Sequence, residues 1–272
     1  MHTRQPDDTA SRLIDALNHD RFVLHRQPIV PLAPREGDAC AREGYQEIYV
    51  RFQEEEDKLL PPGTFIPVLE SCGLMHLLDR WVVNRVIRWM HAARRHDAQW
   101  IAPCSSINLS TDTVVHPDTA HFIVQQIQRG RISGRKLAFE LAESDARIYH
   151  DHLAALAREL KPLGCRFTLT GYEGGKLPPE KLATLGVDSI KLPVDLVTAL
   201  HVASESVRRV RAVQQACAAA GITTIAECVE RQDTVEHLLG LGVHYVQGYG
   251  IGLAQPLVAP TARATAPPAT LR

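Results

Sequence analysis

The feature that most constrains this chain is an alternation. Short apolar runs lie at residues 22–29, 46–52, 105–109, 137–141, 166–170, 189–192, 223–226 and 244–247, and longer segments separate most of them. Runs of that length, bounded by turn residues, read as buried strands. The intervening segments carry a different period. Between 77 and 95 the apolar residues Leu77, Leu78, Trp81, Val82, Val86, Trp89 and Met90 return at three- and four-residue steps, the spacing of one helix face. Segments 115–128, 147–163, 205–220 and 231–241 behave alike, and several stop near Gly130, Gly164, Gly221 or Gly242, where helix C-termini favour glycine. Eight strands with helices between them predict an α/β fold, a (β/α)8 TIM-like barrel, and 272 residues suit one such domain. One connection breaks the rule. Residues 31–44 show no helical pattern, and a direct link of that kind predicts one antiparallel strand in a modified barrel. The barrel is expected over 11–257. Residues 1–10 read as a flexible N-terminus and 258–272 as a disordered tail rich in Pro, Ala and Thr.

Composition narrows the function by exclusion. A net charge of −1 gives no global field for a nucleic acid polymer or an anionic membrane. No apolar run approaches the length of a membrane segment, and the first residues lack an apolar signal core. The six cysteines are scattered without a CxxC pair, which points to reduced thiols and a cytoplasmic protein. The histidines are dispersed and form no HExxH pattern. Arg94 with Arg95, and Glu54 to Asp57, read as solvated helix ends and loops.

Strand alternation sorts the polar residues. Glu47, Tyr49 and Arg51 share one face of the second strand, with Ile48, Val50 and Phe52 on the other. Asn108 falls on the polar face of its strand, and Glu140 lies between Ala138 and Ala142. Buried carboxylates require cations as partners. Glu47, Glu140 and Glu227, on separate strands, therefore call for compensation by Lys191, by Arg51 or by a divalent metal.

Those residues sit in motifs that resemble the EAL family of cyclic-di-GMP phosphodiesterases. The signature is similar to Glu47-Ile48-Tyr49 followed by Val50-Arg51. In the same order come Arg26-Gln27-Pro28-Ile29, Pro62-Gly63-Thr64-Phe65, Ser106-Ile107-Asn108-Leu109, Phe139-Glu140-Leu141-Ala142-Glu143, Ser189-Ile190-Lys191-Leu192, Ala226-Glu227-Cys228-Val229-Glu230 and Gln247-Gly248-Tyr249. The resemblance implies a modified barrel with one antiparallel strand and hydrolysis assisted by Mg2+ or Mn2+. By position it implies metal ligation by Glu47, Asn108 and Glu140, and catalytic roles for Glu227 and Lys191. It implies nucleotide contacts at Gln27, Glu47, Tyr49, Arg51, Pro62, Glu230 and Gln247, and support from Glu143 for the loop beyond the fifth strand. Cyclic-di-GMP, an unidentified signalling protein and a second copy in a homodimer are the implied partners.

The pattern fails at one place. Where active relatives carry two aspartates after the fifth strand, this chain has Thr170 and Gly171, a neutral hydroxyl and no side chain. Glu173 is the nearest carboxylate that could compensate. Smaller departures are Ile48 and Tyr49 within the signature and Leu192-Pro193 after the lysine. Ligand charge count sets the affinity of hard-metal sites, so metal is expected to be weakly held or absent. A loss of about 4 kcal/mol of transition-state stabilisation slows a reaction about a thousandfold. The expectation is a degenerate EAL domain that binds cyclic-di-GMP or signals, with hydrolysis absent or vestigial. The alternatives are a phosphodiesterase with a rearranged metal site and a protein-interaction scaffold that has lost the nucleotide.

Overall fold

A computed structural model describes residues 6–33, 37–55, 58–175 and 177–258. Ten strands form one sheet: β1 (Phe22–Pro31), β2 (Tyr45–Glu55), β3 (Lys58–Leu60), β4 (Cys104–Asn108), β5 (Leu137–Ala142), β6 (Arg166–Thr170), β7 (Ser189–Leu192), β8 (Thr223–Ala226), β9 (Tyr245–Val246) and β10 (Gln255–Pro256). Their order is β10-β1-β9-β8-β7-β6-β5-β4-β2-β3, and an added β1–β2 pairing closes eight of them into a barrel. Strand β1 runs antiparallel to both neighbours, β2 and β9, while β2, β4, β5, β6, β7, β8 and β9 pair in parallel. All eight predicted strands are present, and the antiparallel one is the first. The two further strands, β3 and β10, only extend the ladder at the β2 and β1 edges.

The β1–β2 connection needs a correction. It carries a helix, Ala39–Glu43, too short to show periodicity in sequence. Its start is fixed instead by Asp38, whose carboxylate accepts from the backbone N–H groups of Cys40 and Ala41. Five residues do not make the crossover that a parallel pair requires, so the link stays a hairpin-like return. At the N-terminus a helix spans Pro6–Asn18, through part of the stretch that composition marks as loose. Residues 1–5, Glu56, Asp57 and the tail from 259 fall outside the described residues, so the expectations for them have no structural counterpart.

Alternation along the strands separates two apolar regions. Ile48, Ile107, Phe139, Phe167, Leu169, Ile190 and Leu192 point outward and are buried beneath the helices. The Met75–His96 helix contributes Leu78, Val82, Val83, Val86, Ile87 and Met90 to that sleeve. A smaller cluster lies inside the barrel floor: Ile29, Tyr45, Cys104, Ala138, Ile225 and Tyr245, with Cys40 from the short helix. Above this floor the barrel interior turns polar.

Candidate functional site

The polar layer is assembled by register. Gln27 pairs across the β1–β2 ladder with Glu47, Glu47 stands beside Ser106, Asn108 beside Glu140, and Glu140 beside Thr168. Because these residues occupy alternate strand positions, their side chains converge inside the barrel toward its C-terminal mouth.

Lys191 is the centre. Its Nζ lies 2.6 Å from Glu47 Oε2, 2.8 Å from Glu140 Oε2 and 3.7 Å from Glu227 Oε2, with the lysine side chain 1% exposed. Glu47 is held on both oxygens. Asn108 Nδ2 donates to Oε1 at 2.8 Å, while Gln247 Nε2 and the Tyr49 hydroxyl donate to Oε2 at 2.8 and 2.9 Å. Gln247 Nε2 also reaches Tyr49 Oη at 2.9 Å and Gln27 Oε1 at 3.2 Å, and Gln27 Nε2 donates to the Gly252 carbonyl at 2.8 Å.

Burial and proximity set different charge states in this cluster. For Glu47, burial raises the pKa, but the Lys191 charge and the donors Lys191, Asn108 and Gln247 outweigh it and hold the carboxyl below its ordinary value. For Glu140, burial and the Glu47 charge prevail over Lys191 and push it up to about 7. Burial raises Glu227 as well, against the pull of Lys191. Lys191 itself is raised well above the usual ammonium value, because the charges of Glu140, Glu47 and Glu227 outweigh its burial. Beyond Glu140 Oε2, which has only its ion pair with Lys191, four buried atoms here have no hydrogen-bond partner among the described residues: Glu140 Oε1, Ser106 Oγ, Thr168 Oγ1 and Gln247 Oε1. Unpaired buried acceptors in one layer mark a place where a polar ligand or water belongs.

The structure brings Gln27, Glu47, Tyr49, Asn108, Glu140, Lys191, Glu227 and Gln247 together. Three residues expected there stand apart. Arg51 turns back on its own strand, with its guanidinium 5.6 Å from the Tyr49 ring centroid and Nη1 donating to the Val50 carbonyl. Pro62, itself half-buried, opens an otherwise exposed 3-10 turn, Pro62–Thr64, and Glu230 is exposed. Among the described residues no hydrogen bond or ion pair joins Pro62 or Glu230 to the Lys191 cluster.

The end of β6 supplies no carboxylate. Thr170 Oγ1 faces the Leu141 carbonyl at 3.4 Å, and Gly171 takes a left-handed φ of +68°. Tyr172 then dives into the core, fully buried, its N–H donating to the Lys191 carbonyl and its hydroxyl to Leu177. That anchor sends Glu173 outward. Its side chain is 63% exposed and lies 3.5 Å from Arg209. Among the described residues no three His, Cys, Asp or Glu side chains are grouped to hold a metal ion.

Sequence reasoning missed several members. Ser106 and Thr168 follow from the same alternation that placed Asn108 and Glu140, so their signal was present. Gly248 and Gly250 had no local signal. A Cβ at Gly248 would meet Val229 N at 2.2 Å, and one at Gly250 would meet the Glu230 carbonyl oxygen at 2.5 Å. These glycines let the segment after β9 lie against the loop that carries Glu227. The sealing bonds are Val229 N–H to the Gln247 carbonyl and Gly250 N–H to the Val229 carbonyl.

Comparison with known proteins gives a consistent result. The family model described as "EAL domain" matches residues 10–254. Among curated proteins, cyclic di-GMP phosphodiesterase PdeB of Shewanella oneidensis is 30% identical over 256 residues, covering 94% of this chain and 29% of that protein. Cyclic di-GMP phosphodiesterase PdeF of Escherichia coli is 29% identical over 248 residues, covering 91% of this chain and 32% of that one. The chain thus spans about a third of the length of these relatives. Among solved structures, the FimX EAL domain of Xanthomonas citri in complex with c-diGMP superposes with a TM-score of 0.82 at 23% identity, over 94% of this chain and 96% of that one. The FimX EAL domain of Pseudomonas aeruginosa bound to c-di-GMP gives 0.81 at 21% identity, over 93% and 99%. No helix among the described residues is long and apolar enough to cross a membrane.

Proposed function

The chain belongs to the EAL-domain family, and we propose that it is a cyclic-di-GMP-binding module whose hydrolytic activity is absent or vestigial. One observation carries the reading. The wall of the mouth formed by the end of β6 holds no carboxylate, since Thr170 and Gly171 supply none and Glu173 faces Arg209 outside.

The remaining donor set does not fit a pair of divalent cations. Magnesium and manganese ask for several free oxygen ligands in a compact shell. Glu47 spends both oxygens on Asn108, Lys191, Tyr49 and Gln247, and Glu140 Oε2 faces Lys191. The ammonium of Lys191 takes the electrostatic place of a cation between the two carboxylates. Without a metal there is no strong activation of water.

Binding asks less of the site. Lys191 balances one of three carboxylates, and Glu140, near 7, carries only part of its charge at neutral pH. This softens the repulsion that a phosphodiester ligand would meet. Arg51, stacked on Tyr49 and without a carboxylate partner among the described residues, offers paired N–H groups to a phosphate once it swings from Val50. Gln247 Oε1, buried without a hydrogen-bond partner among the described residues, offers an acceptor to the ligand's polar edge. The relatives' names and the two bound FimX domains support this ligand class.

Titration calorimetry with cyclic-di-GMP tests the reading. The expected result is saturable heat of equal affinity with magnesium and with a chelator, and intact nucleotide after prolonged incubation with manganese. Absence of heat in both buffers sinks the binding claim. Metal-dependent appearance of linear dinucleotide, lost in Glu47→Ala, sinks the claim that hydrolysis is gone.

A further inference from the structure

The floor of the barrel holds a second chemically distinctive cluster, remote in kind from the mouth. Asp38 caps the helix Ala39–Glu43, and Gly44, at φ +93°, turns the chain into β2. The Gly44 N–H donates to the Cys40 carbonyl at 3.0 Å, and the Cys104 N–H donates to the Gly44 carbonyl at 2.9 Å. These two bonds fix Cys40 over the first residue of β4. Cys40 and Cys104 are packed in the same buried floor cluster. Arg166, the first residue of β6, donates from Nη1 to Cys40 Sγ at 3.0 Å, close for a nitrogen–sulfur contact.

We propose that Cys40 and Cys104 form a peroxide-oxidisable dithiol that closes to a reversible disulfide at the barrel floor. The geometry gives each sulfur a role. Cys40 receives the Arg166 guanidinium, so its thiolate is the nucleophile, and Cys104, tied to it through Gly44 in the same cluster, is the resolving thiol. Among the described residues Arg166 makes no carboxylate ion pair, and Asp38, the acid that acts on it, is engaged by its helix cap and by the Tyr245 hydroxyl. The Arg166 guanidinium also argues against a metal cation between the two sulfurs.

The surroundings separate Cys40 from the other cysteines. The Cys104 hydrogen bond, with Arg166 and Lys136, draws Cys40 below the usual thiol value against burial and Asp38. Burial moves Cys165 up to about 12 and Cys217 up to about 11. Cys40 and Cys104 are 3% and 2% exposed, which restricts the oxidant to a small one such as hydrogen peroxide.

The chemistry balances. The Cys40 thiolate attacks one peroxide oxygen, the O–O bond breaks, and the departing hydroxide takes a proton to become water, leaving a sulfenic acid. Cys104 then attacks the Cys40 sulfur. The S–S bond forms, the S–O bond breaks, and the hydroxide leaves with the Cys104 proton as a second water. Two thiols lose two electrons, and one peroxide accepts them.

The test uses the reduced full chain treated with hydrogen peroxide, quenched, unfolded, alkylated and peptide-mapped by mass spectrometry. The expected product is a chain lighter by two hydrogens, with one cross-linked peptide pair holding Cys40 and Cys104, restored by dithiothreitol. Cys104→Ser should leave a sulfenic acid on Cys40 that dimedone captures, and Arg166→Gln should slow cross-linking about tenfold by weakening the thiolate. Full alkylation of both Cys40 and Cys104 while exposed Cys72 and Cys228 are oxidised overturns the proposal. So does a cross-link that pairs either floor cysteine with another partner. The map of the unsubstituted chain decides the matter even where a variant fails to fold.

Discussion

The two ends of the barrel interior solve the same problem differently. At the mouth, three carboxylates gather around one lysine, and four buried polar atoms are left unpaired. At the floor, a single arginine faces sulfur, and the space is closed by the short helix and by Tyr45 and Tyr245 packed edge to face at 5.8 Å. The mouth therefore holds excess acceptor capacity and excess negative charge, whereas the floor is satisfied from within. Electrostatic strain concentrated at one end is what a binding site needs, because a ligand can relieve it. A filled floor serves the closure of the barrel.

The largest expected effect tests whether the mouth depends on its lysine. Lys191→Ala leaves Glu47 and Glu140 buried without their cation, and breaking such a pair costs about 3–5 kcal/mol. Differential scanning calorimetry should show a large fall in Tm. Arg166→Gln at the floor removes a charged donor to sulfur and should cost less, about 1.5–3 kcal/mol. Equal losses in the two variants would break the contrast between the ends.

Next comes the packing that shapes the rim. Gly248→Ala forces a methyl onto the Val229 backbone, at 2.2 Å before relaxation. A cost of about 1–3 kcal/mol is expected from overpacking, accompanied by weaker ligand heat because the Glu227 loop must move. A variant with unchanged stability would show that this loop is not held by the glycine contact.

These residues also show what the sequence could and could not reveal. The strands were legible because apolar runs and period-two alternation are local properties, and the antiparallel return was legible as a connection too short in helical pattern for a parallel crossover, although it hid the five-residue helix Ala39–Glu43. The same alternation assigned Glu47, Asn108 and Glu140 to the interior. It could not show that Lys191 would fill the space between two carboxylates, since that contact joins positions 144 residues apart. Gly248 and the cap at Asp38 depend on neighbours chosen by the fold. The outward path of Glu173 was equally hidden, because it follows from the burial of Tyr172.

A smaller effect sharpens the mouth electrostatically. Glu140 stands near 7 in the fold against an ordinary value of 4.5. A carboxyl whose folded value is raised favours the fold fully when protonated, below about 4.5. Its contribution is lost as pH climbs toward 7, after which the curve levels. Denaturant titrations at pH 5 and pH 8 should therefore show a drop between them that Glu140→Gln reduces. Glu47, held below 4.5, contributes in the opposite sense only under more acidic conditions, so it does not mask this window. An unchanged pH slope in Glu140→Gln would mean that the strain at the mouth resides in Glu227 instead.

The smallest effect is the most pointed for function. Glu173 and Arg209 form an exposed pair at 3.5 Å, the kind that contributes about 0–1 kcal/mol. Glu173→Ala should leave Tm and ligand heat almost unchanged, and it should not alter the response to magnesium. The companion variant Thr170→Asp with Gly171→Asp adds carboxylates at the wall Glu173 has left. Open space surrounds Gly171, so the change there is limited to the strain of a left-handed φ, about 1–2 kcal/mol. If magnesium tightens ligand binding only in the double variant, the neutral end of β6 is the reason the native mouth ignores metal. If Glu173→Ala instead abolishes a magnesium response of the native chain, the loop swings inward in solution and the site is a rearranged metal centre.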